Sequence, residues 1–268
     1  MLRSRALRSV ASANRWASVS SKVCLSRSYS AFTSSLKESI AWNPSNEGKR
    51  VVVAMSGGID SAATAYLLKS AGFDCIGVFM KNWDGSDEKG EFVCSYSKDL
   101  EDMREVCARL DMPAVEVEFV KEYWAGVFQP FLDAYQSGTE TPNPDVSCNR
   151  VIKFKQLRDY AFHTLGADFM ATGHYVRLGY PSGDLLEIPH YLPEHKQASS
   201  IVPGVLERSD RLPVLLRGVD YNKDQSYFLS MTSGEQLRRI LFPLGSLTKP
   251  QVRQLLQQPL DGLNVLKK

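Results

Sequence analysis

Val51-Val52-Val53-Ala54-Met55-Ser56-Gly57-Gly58-Ile59-Asp60-Ser61 is the stretch that decides the fold of this chain. Its three successive valines read as a buried strand, and Ala62, Ala63, Ala65, Tyr66, Leu67 and Leu68 beyond the glycines read as a helix closed by Gly72. Ser56 to Ser61 is then a strand-to-helix turn. Gly57 and Gly58 permit positive φ and close approach of a ligand to the backbone, while the unpaired N–H groups of the helix start face whatever sits there. That describes an anion site. A bare Gly-Gly belongs equally to any α/β turn; the full Ser-Gly-Gly-x-Asp-Ser string after a valine strand is far more restrictive.

Outward from this turn, Cys75 to Met80 is a second apolar run, which completes a β-α-β unit and implies a parallel sheet. Leu100, Met103, Val106, Cys107 and Leu110 share one helical face, so Cys107, like Cys75, is expected in the core. Cys94 is placed in a loop with Ser95 and Ser97, before that helix. Ala114 to Val120 alternates apolar residues with Glu116 and Glu118, the pattern of a strand with one wetter face. Tyr123, Trp124, Val127, Phe128, Phe131, Leu132 and Tyr135 form an aromatic stripe at helical spacing, expected to be core, with Trp124 open to a partner. A helix ending at Gly138, a loop with two prolines, a helix over Phe154 to Leu165 and a short strand over Phe169 to Thr172 follow.

Alternating strands and helices make this a doubly wound parallel α/β domain, whose ligands lie beyond the carboxyl ends of the strands, where Ser56, Met80 and Gly173 fall. From Gly179 to Pro213 periodicity gives way to Pro, Gly, Ser and charges, the signature of a long surface insertion. Ser233 with Gln236, and Thr248 with Pro250 and Gln251, carry capping-box spacing and open two helices. The domain reading is a leader over 1–45, an α/β domain over 46–230 interrupted at 179–213, and the start of a small, incomplete helical domain over 231–268.

With 268 residues, 43% of them hydrophobic, the chain can bury a large core, and it carries no apolar run of membrane-spanning length. Its formal charge of +2 is unevenly spread. Arg3, Arg5, Arg8, Arg15, Lys22, Arg27 and Lys37 face only Glu38 before residue 41, so the remainder is net negative, and nucleic-acid contact there needs local basic patches. The Ser- and Arg-rich, acid-poor leader reads as a mitochondrial transit peptide, which places the protein in the mitochondrial matrix. Cys24, Cys75, Cys94, Cys107 and Cys148 form no CxxC pair, which fits a reducing compartment without structural zinc.

The turn lacks the Gly-Lys-Ser/Thr ending of a Walker loop, so no lysine of its own reaches the phosphates. Backbone amides, the Ser56 and Ser61 hydroxyls and the helix dipole can cradle a pyrophosphate. Asp60 would repel it, and the expectation is Mg²⁺ bridging Asp60 and the phosphates. Ser56-Gly-Gly-Ile-Asp-Ser61 resembles the PP-loop of the ATP pyrophosphatases. Phe79 to Trp83, Thr141 to Asp145, Cys148-Asn149, Lys153 to Lys155, Ala171 to Tyr175, Lys223 to Tyr227 and Leu241 to Gly245 resemble, in this order and spacing, the tRNA-specific 2-thiouridylases in their mitochondrial form.

That resemblance implies adenylation by ATP of the C2 oxygen of a wobble uridine in tRNA, followed by replacement with sulfur from a cysteine persulfide fed by a donor protein. It implies ATP contacts at Ala54, Met55, Ser56, Gly57, Gly58, Ile59, Asp60 and Ser61, with Met80 and Gly173 against the adenosine. It assigns Cys148 as nucleophile and Asp145 to proton transfer or orientation of the base. Asn143, Pro144, Asp145, His174, Lys223, Asp224 and Gln225 match tRNA-contacting positions. Two prolines in a Thr141 to Cys148 loop suit presentation of a flipped base to Cys148, and Arg150, Lys153, Lys155 and Arg158 can meet phosphates.

The family pattern also has a second cysteine, in a Gly-x-Cys-Phe setting, that bears the persulfide and later closes a disulfide with the first. This sequence reaches Leu263 to Lys268, resembling the approach to that cysteine, and is therefore expected to be truncated, its last helix without the partner domain it packs on. Three readings stay open: the thiouridylase, an ATP- and tRNA-binding fragment deficient in sulfur transfer, and another PP-loop ligase.

Overall fold

The computed structural model describes residues 46–83, 91–138, 140–182, 185–187 and 212–268. The leader and most of the insertion lie outside them. Strands β1 (Arg50–Met55), β2 (Asp74–Lys81), β3 (Ala114–Glu118) and β4 (Phe169–Ala171) alternate with helices. β5 (Val176–Ser182), β6 (Leu185–Glu187) and β7 (Val214–Arg217) build a small antiparallel sheet, and β8 (Ile240–Leu241) returns to the main one. The main sheet is parallel in the order β3-β2-β1-β4-β8. The expected doubly wound α/β class is what the chain adopts.

Order in this sheet dictates where a ligand can bind. From β1 the chain runs outward through β2 to β3, then returns to the other side of β1 with β4 and β8. The switch point therefore lies between β1 and β4, where Val53 is in register with Ala171, and a crevice opens beyond their carboxyl ends. Ser56 and Gly173 both stand there. The valines hold this centre in place: Val51, Val52 and Val53 are fully buried, each worth about 2 kcal/mol by area removed from water. At the edge, β3 alternates exposed and half-buried positions, as its glutamates require.

Helix α1 (Ile59–Ser70) follows the glycine turn and ends at Gly72, φ 93°. Helix α2 (Glu91–Arg109) covers β2 with Met103, Val106 and Cys107 buried. Its backbone begins before Cys94, so Cys94 belongs to the helix rather than to the loop expected from its serine neighbours. Helix α3 is α-helical over Val120–Tyr123, π-helical over Trp124–Phe128 and α-helical again over Gln129–Ser137. Here the expected core stripe fails. Only Val127 is buried, while Trp124 is 48% and Tyr135 72% exposed. Helical apolar spacing marks a face, but no element of the described chain covers this one fully.

Helix α4 begins at Pro144 (Pro144–Cys148) and continues in π-helical segments over Asn149–Leu157 and Tyr160–Thr164. Short α5 (Gly234–Leu237) and α6 (Lys249–Leu256) open with the two capping boxes. α6 is not left unpartnered. It packs on α1 with Val252, Leu255 and Leu256 buried, and Leu260 and Val265 behind it are buried too. The described residues from 46 to 268 fall in one compact unit, with β8 in the main sheet and α6 against α1, so the described part of 231–268 shares the α/β core. β5 likewise runs to Ser182, past Gly179 where the insertion was expected to begin.

Candidate functional site: a phosphate loop and a neighbouring thiol helix

Gly57 turns the chain at φ 68°, and a side chain there would strike the Asp99 backbone of α2. Both facts demand glycine. Ser56 stands exposed at the lip. Ser61, 3% exposed, is fixed instead: its Oγ donates to Gly58 O at 2.9 Å and accepts from Ser56 N at 3.2 Å. The first-turn N–H groups of α1 have no intrahelical acceptors, so the loop presents a ring of donors. Gly173 closes the far wall, its Cβ position 3.0 Å from the Asp60 carbonyl carbon and 3.1 Å from Ser61 N. Any larger residue would push α1 and β4 apart. Met80, near the end of β2, is half-buried and packs against the apolar core.

Asp60 does not stand alone. Lys249 Nζ lies 2.6 Å from its Oδ1 and 2.7 Å from its Oδ2, and Tyr175 Oη donates to Oδ1 at 2.7 Å. Burial first, then that hydrogen bond, pushes the Tyr175 phenol far above its ordinary value. Where Mg²⁺ was expected, Asp60 is thus already engaged by a cation of the chain itself. A divalent ion on the same carboxylate would stand about 4 Å from the Lys249 ammonium, a repulsion of order 8 kcal/mol at an effective dielectric of 20. On the loop's other side, Lys268 Nζ donates to Gly57 O at 2.9 Å and pairs with Asp99 at 2.5 Å and Asp102 at 2.6 Å.

The thiol end is built by α4. Asn143 is its N-cap, Oδ1 accepting from Asp145 N at 3.0 Å and Val146 N at 3.3 Å, and Pro144 takes the first helical position. The expected loop from Thr141 to Cys148 is thus helical from Pro144 onward, and the Asn143 carbonyl is committed to the cap rather than to a base edge. Asp145 is exposed one turn before Cys148, which is half-buried. Burial raises the Cys148 thiol above its ordinary value, Lys153 pulls it down, and Asp145 pushes it up. Asn149 is buried, its Nδ2 donating to Phe228 O at 3.0 Å.

Lys153 is a cation within electrostatic reach of the thiol. Its charge acts on both Cys148 and His174, and His174 directly follows Gly173 on the loop's far wall. Beside α4, Trp83, Tyr123, Trp124 and Phe128 gather into an aromatic cluster, with Trp83 and Phe128 centroids 5.0 Å apart and Trp124 and Phe128 also 5.0 Å apart. Tyr123 is close enough to feel the charges of Cys148 and Asp145.

Other expected tRNA contacts have different employment. His174 is 8% exposed, its Nδ1 2.7 Å from Thr172 Oγ1 and its ring packed against Phe154 and Phe242. Burial holds the imidazole neutral, well below its ordinary value. Such a ring fixes the strand end and is not presented to a phosphate. Asp224 accepts from Gly218 N at 2.9 Å and Ser226 Oγ at 2.7 Å, bonds that hold its carboxyl below the usual range despite desolvation. Gln225 Oε1 accepts from Tyr175 N at 3.0 Å. Lys223 alone of the three is an exposed side chain. Of the cations near Cys148, Arg150 and Lys155 are exposed, while Arg158 lies over the Phe162 ring at 4.9 Å and donates to Glu235 O at 3.4 Å.

Lys249 escaped the sequence reading. Its capping box places it at the start of a helix, but nothing local points to a carboxylate 189 positions earlier.

Known proteins carry the same arrangement of sequence. A tRNA-specific 2-thiouridylase MnmA of Streptococcus thermophilus (strain CNRZ 1066) is 47% identical over 223 residues, 83% of this chain and 51% of its own length. One from Bacillus thuringiensis (strain Al Hakam) is 47% identical over 209 residues, 78% of this chain and 48% of its own. The chain thus spans about half the length of the curated relatives it matches. Among solved structures, NMN synthetase from Francisella tularensis aligns over 90% of this chain and 74% of that one at 18% identity, TM-score 0.45, a distant likeness. Residues 49–268 match the family described as the tRNA methyl transferase HUP domain, and the chain belongs to that family.

Proposed function

We propose that this chain carries the ATP-using and base-activating half of a tRNA uridine 2-thiolation reaction. The observation that carries the reading is the switch-point crevice itself. Its Ser-Gly-Gly-x-Asp-Ser turn presents helix-start donors beyond the carboxyl end of β1, and α4 of the same domain carries a half-buried thiol. The 47% identity to proteins named tRNA-specific 2-thiouridylase supports the choice of acceptor. In the first step the uridine C2 oxygen attacks the α-phosphorus of ATP and pyrophosphate leaves. Residues 54–61 receive the phosphates, with Met80 and Gly173 against the adenosine. In the second, the outer sulfur of a persulfide on a donor protein attacks C2 and AMP departs with the oxygen; a thiolate then attacks the inner sulfur of the C2–S–S link, that S–S bond breaks to release 2-thiouridine, and the attacking thiol is left in a disulfide with the donor cysteine. Cys148 is the thiol of that step, and Asp145 orients the base or takes its proton. Exposed Lys223, Arg150 and Lys155, with Asn143 and Pro144 at the mouth, contact the tRNA.

The test is pyrophosphate release from ATP by the purified chain with tRNA bearing an unmodified wobble uridine, and with the same tRNA bearing cytidine there. Release with uridine only is expected. Release provoked by a small molecule and not by tRNA would instead favour a PP-loop ligase. Mitochondrial delivery is the accompanying proposal, resting on the basic, acid-poor leader. Fusion of residues 1–45 to a fluorescent reporter should send it to mitochondria, and a diffuse cytosolic signal would count against it.

A further inference from the structure

The loop's sequence offers no lysine to a polyphosphate, yet the fold places one at its centre. Lys249 opens α6, its side chain 15% exposed and its Nζ bridging both oxygens of Asp60. Its backbone is pinned as well: Lys249 N donates to Asp220 Oδ2 at 2.8 Å, and Gln251 closes the capping box on Thr248 at 2.7 Å. Asp220 is itself 9% exposed and takes Asn222 N on its other oxygen at 3.0 Å. An ammonium ion carries three N–H donors. Asp60 engages the ammonium on both carboxylate oxygens and leaves donor capacity beyond that pair.

We infer that Lys249 is the polyphosphate-binding cation of this loop, delivered from α6 and aimed by Asp60 and Tyr175. The inference rests on the reading of the turn as an ATP site and deepens it. It also reverses the part given to Asp60. A lone carboxylate in the second position of α1 would repel the phosphates; paired with Lys249 it holds the positive charge against them. The geometry explains why the turn dispenses with the lysine of a Walker loop: the cation comes from another element, on the other side of the switch point. Asp60 is then a positioning residue, and pyrophosphate, whose charge Lys249 offsets, is the ligand most sensitive to it. A purely structural ion pair tying α6 to α1 would cost stability when broken and leave the affinity of the folded protein for phosphates unchanged.

The test uses the whole chain with Lys249→Met, Lys249→Arg, Asp60→Asn and the double variant Asp60→Asn/Lys249→Met. Equilibrium binding of ATP, AMP and inorganic pyrophosphate is measured with Mg²⁺ and with a chelator, beside thermal unfolding. Lys249→Met should weaken pyrophosphate and ATP by about thirtyfold, as loss of a charge-assisted bond requires, and AMP by much less. Lys249→Arg should recover most of the affinity. Should Lys249→Met fail to fold with Asp60 left unpaired, the double variant, which removes both charges, should still bind pyrophosphate more weakly than Asp60→Asn alone. A folded Lys249→Met protein with wild-type affinity for pyrophosphate overturns the inference, as does an equal loss for AMP and pyrophosphate. A wild-type chain that binds neither ATP nor pyrophosphate sinks the ATP reading of the loop and this inference with it.

Discussion

Around Asp60 the named polar side chains hold one another: Lys249 and Tyr175 on the carboxylate, Ser61 on the turn, Asp220 under Lys249. Around Cys148 the surroundings are looser. The thiol is half-buried, Asp145 before it is exposed, and the aromatic side chains of α3 lie partly in solvent. The phosphate end is preorganised before any ligand arrives, as suits a group whose charge and shape never vary. The thiol end offers contact area with little committed hydrogen bonding, as the proposed acceptor, a base turned out of its stack, would require. Experiments that separate the two ends are the sharpest checks.

Replacing the thiol should do the most damage at one end alone. Cys148→Ser is expected to lower 2-thiouridine formation by at least about a thousandfold, while ATP affinity and thermal stability stay as they were. Mass spectrometry of the tRNA reads the first and equilibrium dialysis the second. A variant still forming 2-thiouridine would remove Cys148 from the chemistry. The complementary break is Gly57→Ala, which combines strain at φ 68° with a side chain driven into the Asp99 backbone. About 2–3 kcal/mol of destabilisation follows, with ATP binding lost in the folded fraction. Iodoacetamide labelling of Cys148 should survive in that fraction, since α4 and the turn are separate elements of the fold. Coupled loss of both would mean that the ends are one cooperative unit.

A third variant addresses the exposed face. Trp124 is 48% exposed, so Trp124→Ala should move thermal stability little. If bases of single-stranded tRNA stack there, its loss should weaken tRNA binding about tenfold, the usual worth of one stacked aromatic, with ATP affinity unaltered. Filter binding with labelled tRNA decides it.

The contrast also explains what was legible in the sequence. Strand β1, the turn and α1 could be read because their signals are local: β-branched runs, glycine and a helix period occupy adjacent positions. So could both capping boxes, where the partners stand three residues apart. The aromatic stripe of α3 could not, because spacing tells that residues share a face without telling what covers it. His174 was expected at a contact because it matches a tRNA-contacting position of the thiouridylase pattern, right after a glycine at a strand end. Only the fold reveals that Phe154 and Phe242 close over it. Lys249 lies furthest from view. Its partner Asp60 belongs to an element on the other side of the sheet order, and charge pairing across 189 residues leaves no periodic trace.

The smallest effect expected is also the finest probe of the thiol end. Burial holds the Cys148 thiol above its ordinary value, with Lys153 opposing and Asp145 reinforcing the shift. Thiolate, the reactive form, is therefore scarce at neutral pH and grows about tenfold per unit as pH rises toward the folded value. Labelling by iodoacetamide, mapped to the Cys148 peptide, should follow that rise and level off only above pH 9. Cys75 and Cys107, pushed up to about 12 and about 11 by burial, stay silent over the same range. Lys153→Met removes the charge that favours thiolate and should displace the curve upward, slowing the reaction at pH 8. Asp145→Asn removes the opposing charge and should displace it downward. If both variants moved the curve in one direction, repacking of α4 rather than charge would govern the thiol. Opposite displacements with ATP affinity unchanged would place Lys153 and Asp145 electrically at the thiol end and leave the Asp60 network independent of it.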